Sequence, residues 1–345
     1  MRFFKETIYF IISSVLVLLV CEFFVRSSNL GQVSSTEFVD ELGRAKRKNM
    51  DFVYFNEGFG VVSYNEHGFL GNSVEIKKRD NLVRIALVGD SFVESLQVFS
   101  RDYFGKLAED LLNNDLDDRK YEILNMGRSG FVFPDMYIYQ KVYVENFNPD
   151  KIFYFISLED LTAKNNDPLL PKLMIDTISG SPIIDVNYNK EELRAFMISK
   201  KAIQNSALLN MTNIARKRLK NDYMGLLFGK FGQRDPKKAS QETNSLTSDE
   251  LKQVKRSIGI LDFIDPSKAI FINRDSIALP QSFTGALKNK GFKYYDLGET
   301  LKLQTKNVFD PNYWNVTNKR GHWNHAAHKV LAKELAKIIE DNTLK

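Results

Sequence analysis

The sequence predicts an α/β domain, with a buried parallel sheet between two helical layers, behind one N-terminal membrane-crossing helix. Three observations lead there. Short, mostly apolar runs at residues 83–88, 121–125, 151–156, 268–272 and 292–297 have the length and character of strands buried on both faces. Helical patterns at 103–112 and 136–146 separate the first three runs, as parallel neighbours require, since their connection must cross over the sheet. Ahead of them, an apolar stretch from Ile8 to Phe24 is broken only by Ser13, Ser14 and Glu22 and preceded by Arg2 and Lys5.

As a helix, that stretch spans about 26 Å, close to the hydrocarbon thickness of a bilayer. Its N-terminal position behind basic residues favours membrane targeting over a buried core helix. An uncleaved anchor, a cleaved signal peptide and a lipoprotein signal ending at Cys21 all begin this way. No A-x-A site follows, and Val20 stands where a lipobox wants a small residue, so an anchor over residues 1–28 is expected. Arg2, Lys5 and the amino terminus against Arg26 lean towards a cytoplasmic N-terminus, with Arg44, Lys46, Arg47 and Lys48 further on pulling the other way.

Residues 29–80 are mixed and polar with short aromatic runs, and read as a juxtamembrane lead-in that packs on the main domain, 81–345. Within that domain the alternation lapses at about 161–247, an insertion marked by Pro168, Pro171, a Gly180-Ser181-Pro182 turn and a polar tract at 239–248. Inside it, residues 214–234 mix Arg216, Lys217, Arg218 and Lys220 with Leu226, Leu227 and Phe228. This is either a packed helix with a solvated basic face or a surface for anionic lipid or acidic polysaccharide. Thr247 and Glu250 form a capping box for a helix over 248–263. The last helix, 325–339, places Ala327, Leu331, Leu335 and Ile338 on one face to cover the sheet.

The charge balance, 48 basic against 43 acidic residues for a net +5, is too mild and too dispersed for a nucleic-acid partner. The single cysteine, Cys21, allows neither an intramolecular disulfide nor a cysteine-based zinc site.

Three blocks carry chemistry. Gly89-Asp90-Ser91-Phe92 follows the 83–88 run directly, which puts Ser91 at the C-terminal edge of the sheet, where open α/β folds place their sites. Asn125-Met126-Gly127-Arg128-Ser129-Gly130 follows the next run; a glycine there lets backbone N–H groups approach a ligand oxygen. Gly321-His322-Trp323-Asn324-His325-Ala326-Ala327-His328 leads into the last helix. His322, His325 and His328 lack an acidic partner and adjoin Lys319 and Arg320, so no metal is expected, and a histidine here is better read as a general base.

In this order the blocks resemble those of the SGNH/GDSL hydrolase superfamily, closest to membrane-anchored bacterial members with a serine block of the form GDSFVESLQV (89–98). Asn65-Glu66-His67-Gly68-Phe69 is similar to a short element preceding that block. The resemblance covers about 65–160 and 268–341. It implies a flavodoxin-like three-layer α/β/α fold and no cofactor, with Ser91 as nucleophile, His322 as base, and the amides of Ser91 and Gly130 as oxyanion donors. It further implies hydrolysis or transfer of small acyl groups, often acetyl groups on carbohydrate.

Two departures stand out. The asparagine of the third block, normally a third oxyanion donor, is replaced by Glu159 within Ile156-Ser157-Leu158-Glu159-Asp160. An ionised carboxylate donates no hydrogen bond, and loss of one such donor costs about 3–4 kcal/mol in the transition state. The aspartate expected two or three residues before the histidine is replaced by Arg320 and Lys319. Asp310 could fold back as the orienting acid, Asn165 or Asn166 could supply an amide, and Glu159 could itself orient His322.

The leading expectation is a serine-dependent acyl esterase or acyltransferase acting on cell-envelope or exported polysaccharide, single-pass in the inner or plasma membrane with a periplasmic domain. The alternative is a catalytically degenerate relative serving as a glycan-binding or assembly component of an envelope complex. Expected partners are the membrane, through the N-terminal helix, and an acylated glycan.

Overall fold

The computed structural model describes residues 2–28, 35–114, 120–176, 180–216 and 246–343. They fall into two compact units, one drawn from Met1–Glu37 and Asn189–Arg234, the other from Phe38–Tyr188 and Asp235–Lys345. From residue 217 onward the basic and apolar tract at 214–234 lies outside the described residues, as does most of the polar tract at 239–248.

In the first unit, the N-terminal helix Arg2–Ser27 contains a segment, Phe3–Ser27, long and apolar enough to cross a membrane. A second helix, Lys190–Asn205, is capped by Asn189, whose side chain accepts the N–H groups of Glu191 and Glu192 at 2.9 and 3.1 Å. A further helical stretch occupies 207–216.

Four short strands come next: β1 (Thr36–Val39), which spans the boundary between the units, then β2 (Gly43–Lys46), β3 (Met50–Tyr54) and β4 (Gly60–Tyr64) in the second unit. β1 pairs with β2, and β3 with β4 as an antiparallel hairpin. The sheet follows, with β5 (Leu82–Gly89), β6 (Lys120–Gly127) and β7 (Lys151–Ile156), then a two-stranded excursion of β8 (Lys172–Ile175) and β9 (Pro182–Asp185), then β10 (Ala269–Asn273) and β11 (Lys293–Asp296). Every pairing in the sheet is parallel, in the order β11-β10-β7-β5-β6. In order of appearance the sheet strands run 5-4-3-1-2, the flavodoxin-like arrangement, whose order reverses beside the first strand. This is the three-layer α/β/α fold that the resemblance to SGNH/GDSL hydrolases implies.

The alternation of side chains explains both layers. Along β5, Ala86 and Val88 face one core and Val83, Ile85 and Leu87 the other; along β7, Tyr154 and Ile156 oppose Phe153 and Phe155. The first face is covered by the helices Phe133–Val142, Ser248–Ile260 and Gln281–Asn289, the second by Phe104–Asn113, Leu297–Thr305 and His325–Thr343. Full burial of each such aliphatic or aromatic side chain contributes about 1.5–3 kcal/mol. The helix expected at 136–146 starts at Phe133, because Pro134 sits in its first turn, where its missing N–H costs nothing, and it yields at Tyr143 to a short 3₁₀ turn. The capping box at Thr247 is present, with Thr247 Oγ1 and Glu250 exchanging hydrogen bonds across the first turn.

Residues 38–80 of the lead-in group with the sheet domain: Leu70 bridges Tyr64 of β4 to Asn125 of β6, so the β3–β4 hairpin is attached to the sheet edge. The insertion divides. Residues 161–188 belong to the sheet unit, where the Leu169 carbonyl accepts the Arg44 N–H at 2.7 Å and the Leu173 carbonyl accepts Arg256 Nη2 at 2.7 Å, while 189–216 group with the N-terminal helix.

Candidate active site

β5 ends at Gly89, and Ser91 opens the four-residue helix Ser91–Glu94. Asp90 fixes this turn: its Oδ1 accepts the Phe92 N–H at 3.0 Å and its Oδ2 accepts Arg274 Nη2 at 2.6 Å. The same guanidinium reaches Ser157 Oγ at 3.1 Å, lies 3.6 Å from Asp160 Oδ2 and covers the Phe92 ring at 4.2 Å. One arginine, just past β10, therefore ties together the C-terminal ends of β5 and β7.

The loop after β6 is laid against this turn. The Arg128 N–H bonds the Gly89 carbonyl at 2.9 Å, and the Ser129 N–H bonds Glu94 Oε2 at 2.8 Å. Gly127 has to be glycine, because a Cβ there would lie 2.2 Å from the Glu94 nitrogen. Glu94 is fully buried and also accepts from Lys46 and Tyr64. Burial alone would raise its pKa, but the Lys46 ammonium and the Ser129 donors outweigh that and hold it below the usual carboxylate range. Next in the chain comes Gly130, at φ +85 with open space about its α-carbon. The amides of Ser91 and Gly130 donate to no acceptor among the described residues.

His322 approaches from the loop before the last helix. Its Nε2 lies 2.7 Å from Ser91 Oγ, and its Nδ1 is hydrogen-bonded to Glu57 Oε1. With Nδ1 protonated, the serine hydroxyl donates to the imidazole and the imidazole donates to the carboxylate. The ring is wedged against Phe92 at 4.7 Å, and the His322 carbonyl accepts Trp314 Nε1 at 2.9 Å.

Glu57 sits at the tip of the β3–β4 hairpin, in a segment the sequence marked only as lead-in. Glycines permit the approach. A Cβ on Gly58 would meet the Trp314 ring at 2.6 Å, one on Gly60 the Leu96 carbonyl oxygen at 2.5 Å, and one on Gly321 the Glu57 Cγ at 2.7 Å. Tyr54 donates to Glu57 Oε2 at 2.6 Å, and Thr317 donates to the Glu57 carbonyl. Burial alone would raise the Glu57 carboxyl, which is only 4% exposed; hydrogen bonds from His322 and Tyr54, with the charge of the imidazolium, bring it down to about 2.

The structure thus corrects the expected orienting acid. Asp310 is ion-paired with Arg320, and its Oδ1 accepts the Asn312 N–H at 3.0 Å, so it does not serve His322. Glu159 is exposed on the short helix Leu158–Thr162, and Glu57, not Glu159, holds the imidazole. The amide of Asn165 is committed to Asp135 Oδ2 at 2.7 Å and the Gly130 carbonyl at 3.3 Å, which leaves it braced against the Gly130 loop, and Asn166 is exposed.

The other histidines face elsewhere. His325 packs on Trp314, and buried His328 accepts the Phe104 N–H on Nδ1 at 3.1 Å, burial taking its pKa down to about 3. No cluster of histidine, cysteine and carboxylate placed to hold a metal occurs among the described residues. A cleft of about 780 Å³ borders the site, lined by Phe92, Arg274, Phe309, Asp310, Arg320 and Trp323 among others.

No family model and no curated protein matches the chain. Solved structures that match include a lipase/acylhydrolase from Enterococcus faecalis at 12% identity and TM-score 0.37, covering 75% of this chain and 95% of that one. An acetyl xylan esterase matches at 12% identity and TM-score 0.37, covering 74% and 100%. An α/β hydrolase enzyme from the metagenome of Lake Arreo, Spain, matches at 12% identity and TM-score 0.37, covering 76% and 96%.

Proposed function

We propose that the sheet domain is a serine-dependent acyl-ester hydrolase or acyltransferase of the SGNH/GDSL kind, held at a membrane by the N-terminal helix and acting on small acyl groups, acetyl above all, of exported or envelope polysaccharide. The observation that carries this reading is the unbroken hydrogen-bonded series from Ser91 Oγ through His322 to Glu57.

The chemistry follows from the geometry. As Ser91 Oγ attacks the ester carbonyl carbon, His322 Nε2 takes its proton, and the positive imidazole is stabilised by Glu57 through Nδ1. The tetrahedral oxyanion is taken up by the amides of Ser91 and Gly130. The carbon–oxygen bond to the sugar then breaks, with His322 returning its proton to the leaving alkoxide, and the acyl group is left on Ser91. Water or a second sugar hydroxyl, deprotonated by His322, resolves the acyl-enzyme; which of them does so depends on water exclusion.

The test is labelling with a fluorophosphonate probe. The wild-type chain is expected to label and Ser91→Ala not to, with ester hydrolysis falling on the order of 10⁶-fold in that variant. Equal labelling of both would remove Ser91 from the role. A second reading, a glycan-binding relative without turnover, is favoured by one observation: Glu159 stands where a third oxyanion donor is expected. Under it neither chain labels, while acylated glycan still binds.

A further inference from the structure

Glu22 interrupts the apolar helix Arg2–Ser27 about one turn before its end. Its carboxylate is fully engaged within its own unit: Oε2 accepts Ser206 Oγ and the Leu208 N–H, both at 2.8 Å, and Oε1 accepts the Ala207 N–H at 2.8 Å and Arg26 Nη2 at 2.6 Å. Arg26 also donates to the Asn205 carbonyl at 2.9 Å. One acidic side chain thus caps the helical stretch 207–216 and, with Arg26, closes the end of the helix Lys190–Asn205. A carboxylate in a lipid-facing helix is costly unless partnered, and here every partner except Arg26 comes from the insertion.

The depth of this latch follows from helix geometry. The 25 residues of Phe3–Ser27 extend about 37 Å, more than the ~30 Å hydrocarbon core, so the last turn or so reaches the headgroups. Glu22 holds 206–208 near that boundary. On the two helical segments that meet there, Met197, Ile198 and Leu209 are 54%, 63% and 50% exposed, with the exposed cations Arg194 and Lys201 beside them and the exposed acids Glu191 and Glu192 confined to the far first turn. Apolar side chains interspersed with basic ones, on an element tied to the end of a membrane-length helix, suit an anionic lipid surface.

We propose that 190–216 is a membrane-interface element, latched to the N-terminal helix by Glu22, whose Met197, Ile198 and Leu209 enter the headgroup layer of an anionic bilayer. The proposal rests on the anchor reading of Arg2–Ser27 and is independent of the chemistry at Ser91.

The test uses the full chain in mixed phosphatidylcholine–phosphatidylglycerol vesicles. Cys21 is the single cysteine, so Cys21→Ser clears the background for one environment-sensitive label at a time, at Leu16→Cys, Met197→Cys or Leu209→Cys. Quenching by lipids carrying a nitroxide near the headgroup or deep in the acyl chain reports depth. The Leu16 label is expected to be quenched by the deep nitroxide. The Met197 and Leu209 labels are expected to shift to the blue and be quenched by the shallow one, both effects being lost in Glu22→Ala while hydrolysis of a small soluble ester is unchanged.

A deep Leu16 label with Met197 and Leu209 labels in water overturns the proposal alone. A blue shift without nitroxide quenching also overturns it, indicating a protein contact in place of lipid. Shallow quenching that persists in Glu22→Ala removes the latch. A Leu16 label in water overturns the anchor and the proposal together.

Discussion

Ser91 leaves the end of β5, a strand whose Ile85, Ala86, Leu87 and Val88 are wholly buried, whereas Glu57, two hydrogen bonds away, hangs at the tip of a two-stranded hairpin. The serine is located by the sheet: strand pairing on both sides, the Asp90 cap and the Arg274 tie leave its turn few alternatives. The carboxylate is located by loops, through close approaches that only glycine permits at positions 58, 60 and 321. The two sides also differ electrostatically. Glu57 is brought down to about 2 by its donors, while Asp160, buried behind the serine turn, is pushed up to about 7 by desolvation, with Arg274 pulling it down and Asp90 pushing it further up. One end of the hydrogen-bonded series is therefore set by the sheet edge and the other by a hairpin beside it.

The sharpest way to break this comparison is to exchange the acids. Glu57→Gln keeps the hairpin's shape but cannot stabilise the imidazolium or hold its tautomer, so ester hydrolysis is expected to fall by about 10³–10⁴ with the thermal midpoint little changed. Asp310→Asn is expected to lose far less, because Asp310 is paired with Arg320 and makes no contact with His322. Equal losses in the two variants would return the orienting role to the loop before His322. Esterase rates on an activated acetate, measured beside melting curves, decide it.

A smaller effect is expected at the third oxyanion position. Glu159→Asn removes a charge and supplies an amide, and should raise turnover of the same acetate towards the 10²–10³-fold that one such donor commands. An unchanged or reduced rate would mean that the exposed Glu159 serves another purpose, such as contact with substrate.

The smallest expected effect concerns stability on the sheet side. An unfolded aspartate ionises near pH 4, but Asp160 in the fold ionises only at about 7. Between those values the unfolded chain has released a proton that the folded chain keeps, so this group's contribution is complete below about pH 4 and is lost as pH rises through 7. Asp160→Asn should flatten that part of the pH–stability curve in denaturant titrations, since an amide oxygen can still accept from the Ser157 N–H and hydroxyl. A slope that survives the substitution would assign it to another group. Glu57, at about 2, stays ionised across the whole of that range.

What was legible in the sequence follows the same division. The runs at 83–88, 121–125 and 151–156 became β5, β6 and β7 because burial on both faces forces a mostly apolar signature, and Ser91 and His322 stood at the junctions such a sheet makes conspicuous. Glu57 carried no such mark. It pairs with a residue 265 positions later, and no periodicity reports a contact of that span. Its trace was indirect: an acid between Asn56 and Gly58, with Gly60 close behind, in a segment whose mixed composition disguised two strands. Asp310 was closer in sequence and chemically plausible, but Arg320, placed where the usual acid would be, captured it. The splitting of the insertion was hidden for a comparable reason, since Glu22 reads as a blemish in an apolar run until its partners at 206–208 are in place.

The span between Glu57 and His322 also sets the order in which the protein comes into being. In the chain Glu57 precedes all five strands of the parallel sheet, and His322 follows the last of them. A growing chain can assemble β5, β6 and β7 and present Ser91 beside Glu57 before the imidazole that joins them has been made. Under the proposed chemistry, a chain cut between the last sheet strand and His322 keeps the serine turn but loses the base, and is expected to be chemically silent.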